Sequence, residues 1–280
     1  MTWFVSEDVD AFLDAAGPGL AGEAVRGTVV WTVAESVRRQ GPYAFGDVAP
    51  ARFGWWREGD GGAVTGTFVV TPPHPPALGP MTEAAARALA DEPAVSDATA
   101  VRGETAAVRA FADARGGDWA VARETRLFRL GALTPPEPAP AGRARVADPA
   151  DVPLLAAWFA GFAAETGEGD PAADWTPAVT TRVAEGRLTL WETPDAGAVA
   201  LAGLSQQVAG QTRVSPVFTP REHRGRGYAG AVTSAVSAAA RAAGAREVLL
   251  FADLANPTSN ALYQRLGYRP VTDHLALTRT

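Results

Sequence analysis

The chain has 280 residues, 47% of them apolar, which is enough for one large or two ordinary domains with real cores and excludes a disordered chain. Cysteine is absent, which excludes disulfides, thiolate metal sites and cysteine nucleophiles; with only three histidines (His74, His223 and His274) no metal site is expected. A net charge of −6 argues against nucleic acid as a general partner, and every one of the 25 basic residues is arginine.

The N-terminal stretch "MTWFVSEDVDAFLDAAG" carries acids where an export signal would carry basic residues, and no apolar run approaches the roughly 18 residues of a membrane span. A soluble, cytoplasmic protein without a membrane partner is expected. The first half continues through "ARFGWW" and "AVTGTFVVTPP", the helix-like "MTEAAARALADE", then "GETAAVRAFADARGG" and the strand-like "ARETRLFRLG". Residues 131–150, "GALTPPEPAPAGRARVADPA", contain five prolines and few apolar side chains, so they read as an extended connector. Beyond this seam "DVPLLAAWFAGFAAETG" has apolar residues at helical spacing, and "TPAVTTRVAEGR" opens with a threonine cap followed by proline. "RLTLWET", "AVALAGLSQQVAG" and "QTRVSPVFTP" read as a three-stranded meander. A helix, the strand "EVLLFADLA", the helix "TSNALYQRLG" and a last strand in "VTDHLALTRT" complete the order ααβββαβαβ. The pattern predicts two α/β or α+β domains, residues 1–134 and 143–280, joined by a linker at 135–142.

Between the third strand of the meander and the next helix stands "RGRGYA", residues 224–229. A helix start carries free backbone N–H groups and about half a positive charge, so such a turn is a natural cradle for an anion, phosphate first. Gly225 and Gly227 let the backbone approach a ligand closely, the amides of residues 225–229 point at it, and Arg224 and Arg226 can add charge-assisted hydrogen bonds. A Walker loop needs Gly-Lys-Ser/Thr, and this chain has no lysine, which disfavours nucleotide hydrolysis.

The segment "VFTPREHRGRGYAGAV" resembles the acetyl-CoA signature of the GCN5-related N-acetyltransferases (GNAT), with Arg224, Gly227 and Ala229 in the key places. About thirty residues on, "LANPTSNALYQRLGYRP" is similar to the family's second motif, matched by Asn256, Tyr263, Gly267 and Tyr268. The resemblance covers roughly residues 143–280. It implies tandem GNAT-like domains, each a mixed, mostly antiparallel twisted sheet flanked by helices, and acetyl-CoA as cosubstrate with no metal. It also implies that the backbone of the strand end at Val217, Phe218 and Thr219 binds the pantetheine arm, and that the turn through Arg224, Gly225, Arg226, Gly227, Tyr228 and Ala229 holds the pyrophosphate. Asn256 is a second pantetheine contact or simply the cap of its helix.

The reaction implied is attack of a neutral amine on the thioester. Tyr263 is the candidate acid: its phenol, pKa about 10 in water, would protonate a thiolate whose thiol lies near 8.5, while the plainer reading packs it beside Leu262 and Leu266. The strand before the signature offers no glutamate, so the base stays open among Glu165, Glu168, Asp170, Asp174 and Asp253. Trp158, Phe159, Phe162 and Trp175 are candidates for an acceptor pocket, with core packing as the alternative for each. In the first half, "VVTPP" at 69–73 echoes "VFTPR" at 217–221 but leads into "HPPALGPM", whose prolines cannot donate hydrogen bonds; a worn copy of the same domain is expected. The function expected is an acetyl-CoA-dependent N-acetyltransferase acting on a primary amine, first of a small molecule, with a noncatalytic acyl-CoA-binding regulatory module as the alternative.

Overall fold

The structure, a computed structural model, describes residues 1–59 and 62–280. Its contacts divide the chain into two compact units. Unit 1 comprises Met1–Phe128, Phe251–Pro257 and Pro270–Thr280, and unit 2 comprises Arg129–Leu250 and Thr258–Arg269. The proline-rich residues 135–142 thus belong to unit 2.

In chain order the first ten elements are β1 (Thr2–Ser6), α1 (Val9–Gly22), α2 (Thr28–Gln40), β2 (Arg52–Arg57), β3 (Val64–Val70), β4 (Ala77–Met81), α3 (Glu83–Leu89), β5 (Ala100–Glu104), α4 (Thr105–Arg115) and β6 (Trp119–Leu130). The next ten are β7 (Arg143–Val146), α5 (Val152–Thr166), α6 (Thr176–Ala184), β8 (Leu188–Thr193), β9 (Gly197–Leu204), β10 (Gln211–Phe218), α7 (Tyr228–Ala242), β11 (Glu247–Asp253), α8 (Pro257–Arg265) and β12 (Tyr268–Arg279). The same succession, βααβββαβαβ, runs twice. The fold is mixed α/β with a mostly antiparallel sheet flanked by helices, as the composition and the motifs led us to expect.

In unit 1 the ladders β1–β2, β2–β3 and β3–β4 are antiparallel, β4–β5 is parallel, and β12 pairs antiparallel with β5 from His274↔Glu104 to Thr278↔Ala100. Helix α1 buries Phe12, Ala16 and Leu20, one residue per turn, and its start is held by Asp8, which accepts from the N–H of Asp10 and Ala11. One core gathers these residues with Val30, Val33, Phe53 and Val69. A second gathers Phe68, Leu78, Leu89, Val101, Val108 and Phe111 with Leu275 and Leu277 of β12.

In unit 2 the ladders β7–β8, β8–β9 and β9–β10 are antiparallel and β10–β11 is parallel. Leu155, Phe159, Val179, Leu188, Leu190 and Leu201 form its core. Strand β7 lies where the sequence reads as a featureless connector: its residues are exposed or half-buried, so no apolar alternation marks it. It is held by register with β8 and by Arg145, which binds both Asp151 oxygens at 2.7 and 2.9 Å and Glu192 at 2.7 Å. Among the described residues no helix is long and apolar enough to cross a membrane.

His274 on β12 makes one pH prediction. Its ring stands edge-on to Phe251 at 4.9 Å and its Nε2 is buried without a hydrogen-bond partner among the described residues. The facing charges are Glu104, held at 2.7 Å by Arg26, together with Asp273 and Arg102, and burial pushes the imidazole down to about 4. Because the neutral form is the folded one, stability is full above the unfolded value near 6.5 and is lost as pH falls from there toward 4. Between pH 7 and pH 5 the loss is about 2 kcal/mol. Urea denaturation of the wild type and His274→Leu at the two pH values should show that share of the pH dependence vanish in the variant; an unchanged dependence contradicts it.

Candidate functional site

Strand β10 forms the floor. Its parallel ladder with β11 runs from Gln211↔Glu247 to Arg213↔Leu249, while β10 itself runs on to Phe218. On the other edge it stays paired to β9 through Val217↔Ala202 and Phe218↔Leu201, with a register shift between Val214 and Val217. Pro216, which has no N–H to give, sits inside that irregularity. Among the described residues the ladder to β11 therefore ends at Arg213, and the β11-side edge of β10 beyond it suits an extended ligand that adds as a strand would. Val217, Phe218 and Thr219 are all half-buried there, and the Phe218 ring packs on Trp158 at 6.2 Å.

Residues 219–227 turn the chain from β10 into α7. Gly225 and Gly227 have φ of +76° and +82°, the left-handed region that favours glycine. No side chain caps α7, and its first backbone bond runs from the N–H of Ala231 to the Gly227 carbonyl at 3.1 Å, so the amides of the opening turn are left to donate elsewhere. Two buried polar atoms without partners flank the turn, Thr219 Oγ1 and His223 Nδ1. Arg226 is exposed and makes no hydrogen bond or ion pair among the described residues. A diphosphate fits this donor set.

Two details differ from the sequence reading. A Cβ at Gly225 would meet open space, whereas one at Gly227 would stand 3.8 Å from Pro140 of the linker. Gly225 is thus the glycine on the open side of the turn, and Gly227 serves backbone conformation beside the linker. Nor is the Arg224 guanidinium free: its Nε donates to the Thr219 carbonyl at 2.8 Å and its Nη2 to Glu165 at 2.6 Å. No spacing rule joins residues 59 positions apart, so the sequence carries no sign of this pair.

From α8, Tyr263 turns inward. It is 8% exposed, its ring meets Tyr268 edge-on at 6.1 Å, and its hydroxyl makes no hydrogen bond among the described residues. Burial pushes its phenol well above the usual value, with Tyr268 and the Glu168 carboxylate adding in the same direction. Tyr268 is fully buried and hydrogen-bonded to Ser237 at 2.7 Å, and Ser237 donates on to the Thr233 carbonyl. Tyr228 and Ala229 are half-buried at the head of α7. Asn256 is exposed, its N–H donating to the Asp253 carbonyl at 3.1 Å, in the stretch Phe251–Pro257 that packs with unit 1.

The five carboxylates sort by partner. Glu165 is held by Arg224 and Arg221, and Asp253 by Arg123 at 3.2 Å. Asp170 accepts from the N–H of Ala172, and Asp174 from that of Thr176; the Thr176 hydroxyl, together with this N–H, lowers the Asp174 pKa. Glu168 is the one whose charge bears on Tyr263. Of the aromatic residues, Phe159 is core, with Trp158 and Trp175 packed against that core, and Phe162 is half-buried.

Unit 1 offers the counterpart for contrast. In the repeated order of elements the equivalent of β10 is β4, so the resemblance of residues 69–73 to 217–221 pairs the wrong strands: 69–70 end β3, the equivalent of β9. After β4 the chain enters α3 at once, and Thr82 Oγ1 caps it by accepting from the N–H of Ala85 at 3.2 Å. Strands β4 and β5 come together at the start of β4, where Ala77 pairs with Arg102 and a Cβ on Gly103 would lie 2.7 Å from that of Leu78. Neither the long turn nor the uncapped helix start of unit 2 has an equivalent here.

Residues 196–276, which hold β10, the turn, α7, β11 and α8, match the FR47-like protein family. No curated protein sequence matches the chain. An acetyltransferase from the GNAT family of Colwellia psychrerythraea is 12% identical, with 99% of this chain and 98% of that one covered at a TM-score of 0.60. A GCN5-related N-acetyltransferase from Sphaerobacter thermophilus is 19% identical, with 98% and 94% covered at 0.64. A tandem GNAT protein from the clavulanic acid biosynthesis pathway, solved without acetyl-CoA, is 14% identical, with 99% and 98% covered at 0.57. At these identities the likeness is one of fold. The fold is thus that of these GNAT acetyltransferases, and the FR47-like match falls on the segment that carries both motifs.

Proposed function

We propose that unit 2 binds acetyl-CoA and transfers its acetyl group to a primary amine, first that of a small molecule. The observation that carries this reading is the uncapped, glycine-turned start of α7 directly after the strand end that β11 leaves unpaired. The diphosphate would lie on the amides of residues 225–229 and on Arg226, and the pantetheine arm along the edge of β10 at Val217, Phe218 and Thr219.

The amine nitrogen attacks the thioester carbonyl, the C–S bond breaks, the departing thiolate takes the phenolic proton of Tyr263, and the proton that the nitrogen sheds on becoming an amide passes through solvent to restore the phenol. Two features of this site support that role: the raised pKa keeps the phenol protonated at every working pH, and its hydroxyl is committed to no other partner. Exchanging a buried phenolate for a buried thiolate leaves one desolvated anion on either side, so burial opposes the transfer less than the phenol's own shift suggests. Unit 1 is proposed as a worn copy of the same domain, without a cofactor site, because its helix start is already capped and follows β4 without an intervening turn.

The test is thiol release from acetyl-CoA across a panel of amines, to which this cysteine-free chain adds no background thiol. Amine-dependent release is expected. Saturable acetyl-CoA binding with no release for any amine would instead favour a noncatalytic acyl-CoA-binding module, a reading supported by the engagement of Glu165, Asp170, Asp174 and Asp253 with other partners.

A further inference from the structure

We propose that Arg224, the arginine of the signature, is a positioning residue held by Glu165 and not a ligand of the diphosphate; this rests on the acetyl-CoA reading above. One guanidinium joins three parts of unit 2. Its Nε donates to the Thr219 carbonyl, at 2.8 Å, just past the end of β10. Its Nη2 donates to Glu165 Oε2, at 2.6 Å, in the last turn of α5. Its own backbone lies in the turn that leads to α7. Glu165 is drawn further to the same place by Arg221, whose Nε lies 3.4 Å from Oε1. With Nε and Nη2 so engaged, the guanidinium is held toward Thr219 and Glu165, and turning it onto an anion at the amides of residues 225–229 would loosen those contacts. Arg226, two residues on and engaged with nothing among the described residues, has no such cost.

The consequence is a division of labour between two arginines that the sequence shows as equivalent. Arg226 and the backbone amides meet the diphosphate. Arg224 and Glu165 fix the distance between the strand end that takes the pantetheine arm and the helix whose C-terminal loop carries Glu168, the carboxylate that bears on Tyr263. An exposed ion pair contributes little to global stability, so the effect belongs to the geometry of the turn and not to the melting temperature. The fork matters as much as the charge, because lysine has no planar pair of donors with which to span a carbonyl and a carboxylate.

Acetyl-CoA binding to the full chain by calorimetry tests this with Arg224→Lys, Glu165→Ala, the double variant and Arg226→Ala. A clamp predicts that Arg224→Lys and Glu165→Ala each weaken binding about tenfold, although the latter removes a negative charge from beside an anion site. The double variant should bind no worse than Arg224→Lys alone, since both changes break one unit. Arg226→Ala should weaken binding and flatten its salt dependence, which Arg224→Lys should leave in place. Wild-type affinity in Arg224→Lys, or tighter binding in Glu165→Ala, would overturn the proposal and make Arg224 a phosphate ligand for which Glu165 competes. A wild-type chain that fails to bind acetyl-CoA overturns the cofactor reading itself, and the clamp with it.

Discussion

Tyr263→Phe is expected to slow acetyl transfer about 10²-fold, the usual range for a positioned acid, while acetyl-CoA affinity stays within a few fold. The substitution keeps the ring that meets Tyr268 at 6.1 Å and removes a hydroxyl that bonds to nothing among the described residues. Deleting a hydroxyl that has no protein partner costs the fold little, so stability should change little. If the tyrosine serves only as packing, the phenylalanine chain turns over like the wild type. Single-turnover measurements separate the two, because they read the chemical step even where product release limits the steady state. The raised phenol adds a second expectation: the pH–rate profile should show no fall from Tyr263 below about pH 10, because its pKa is moved upward from there.

Gly225→Asp is expected to weaken acetyl-CoA binding about 10²-fold more than Gly225→Asn does. Both side chains are tolerated in left-handed backbone better than other residues, so the two variants share whatever strain φ of +76° imposes. Both project into open space beside the turn at which the diphosphate is proposed to bind. They differ by one negative charge. At about 6 Å and an effective dielectric of about 20, repulsion between unit charges is roughly 2.8 kcal/mol, close to 10²-fold. Equal affinities for the two variants would show that no anion sits at this turn. Gly227 is the poorer probe, since a side chain there would strain the backbone at φ +82° whether or not a ligand binds.

Much of unit 2 is legible in the sequence because its signals are local. The strand "QTRVSPVF", the glycine turn and the helix after it each depend on neighbours a few residues away, and the structure forms β10, the turn and α7 in that order. Alternation and helical spacing likewise mark α5, α6, β8, β9, β11 and α8. Strand β7 escapes notice because its residues are exposed or half-buried and its support, Arg145 bound to Asp151 and Glu192, is partly distant in sequence. The wrong pairing of 69–73 with 217–221 has a similar cause: five residues of likeness say nothing about which strand of a meander they occupy, whereas the parallel ladder to β5 identifies β4.

What the sequence by itself determined is the chemistry on offer: a cysteine-free, lysine-free α/β chain with a glycine and arginine turn opening a helix, and a tyrosine two motifs along. The tertiary structure decided which of those groups are free to act. It committed Arg224 to Glu165 and Thr219, left Arg226 unengaged, set Pro140 beside Gly227 and opened space at Gly225. It also laid the chain's last strand, β12, against β5, so that Leu275 and Leu277 complete a core built mainly by the first half. The physical reason is the range of the interactions. Turn and helix propensities act over a few residues along the chain, whereas ion pairs, ladder edges and core contacts act over a few ångströms between residues that only folding brings together.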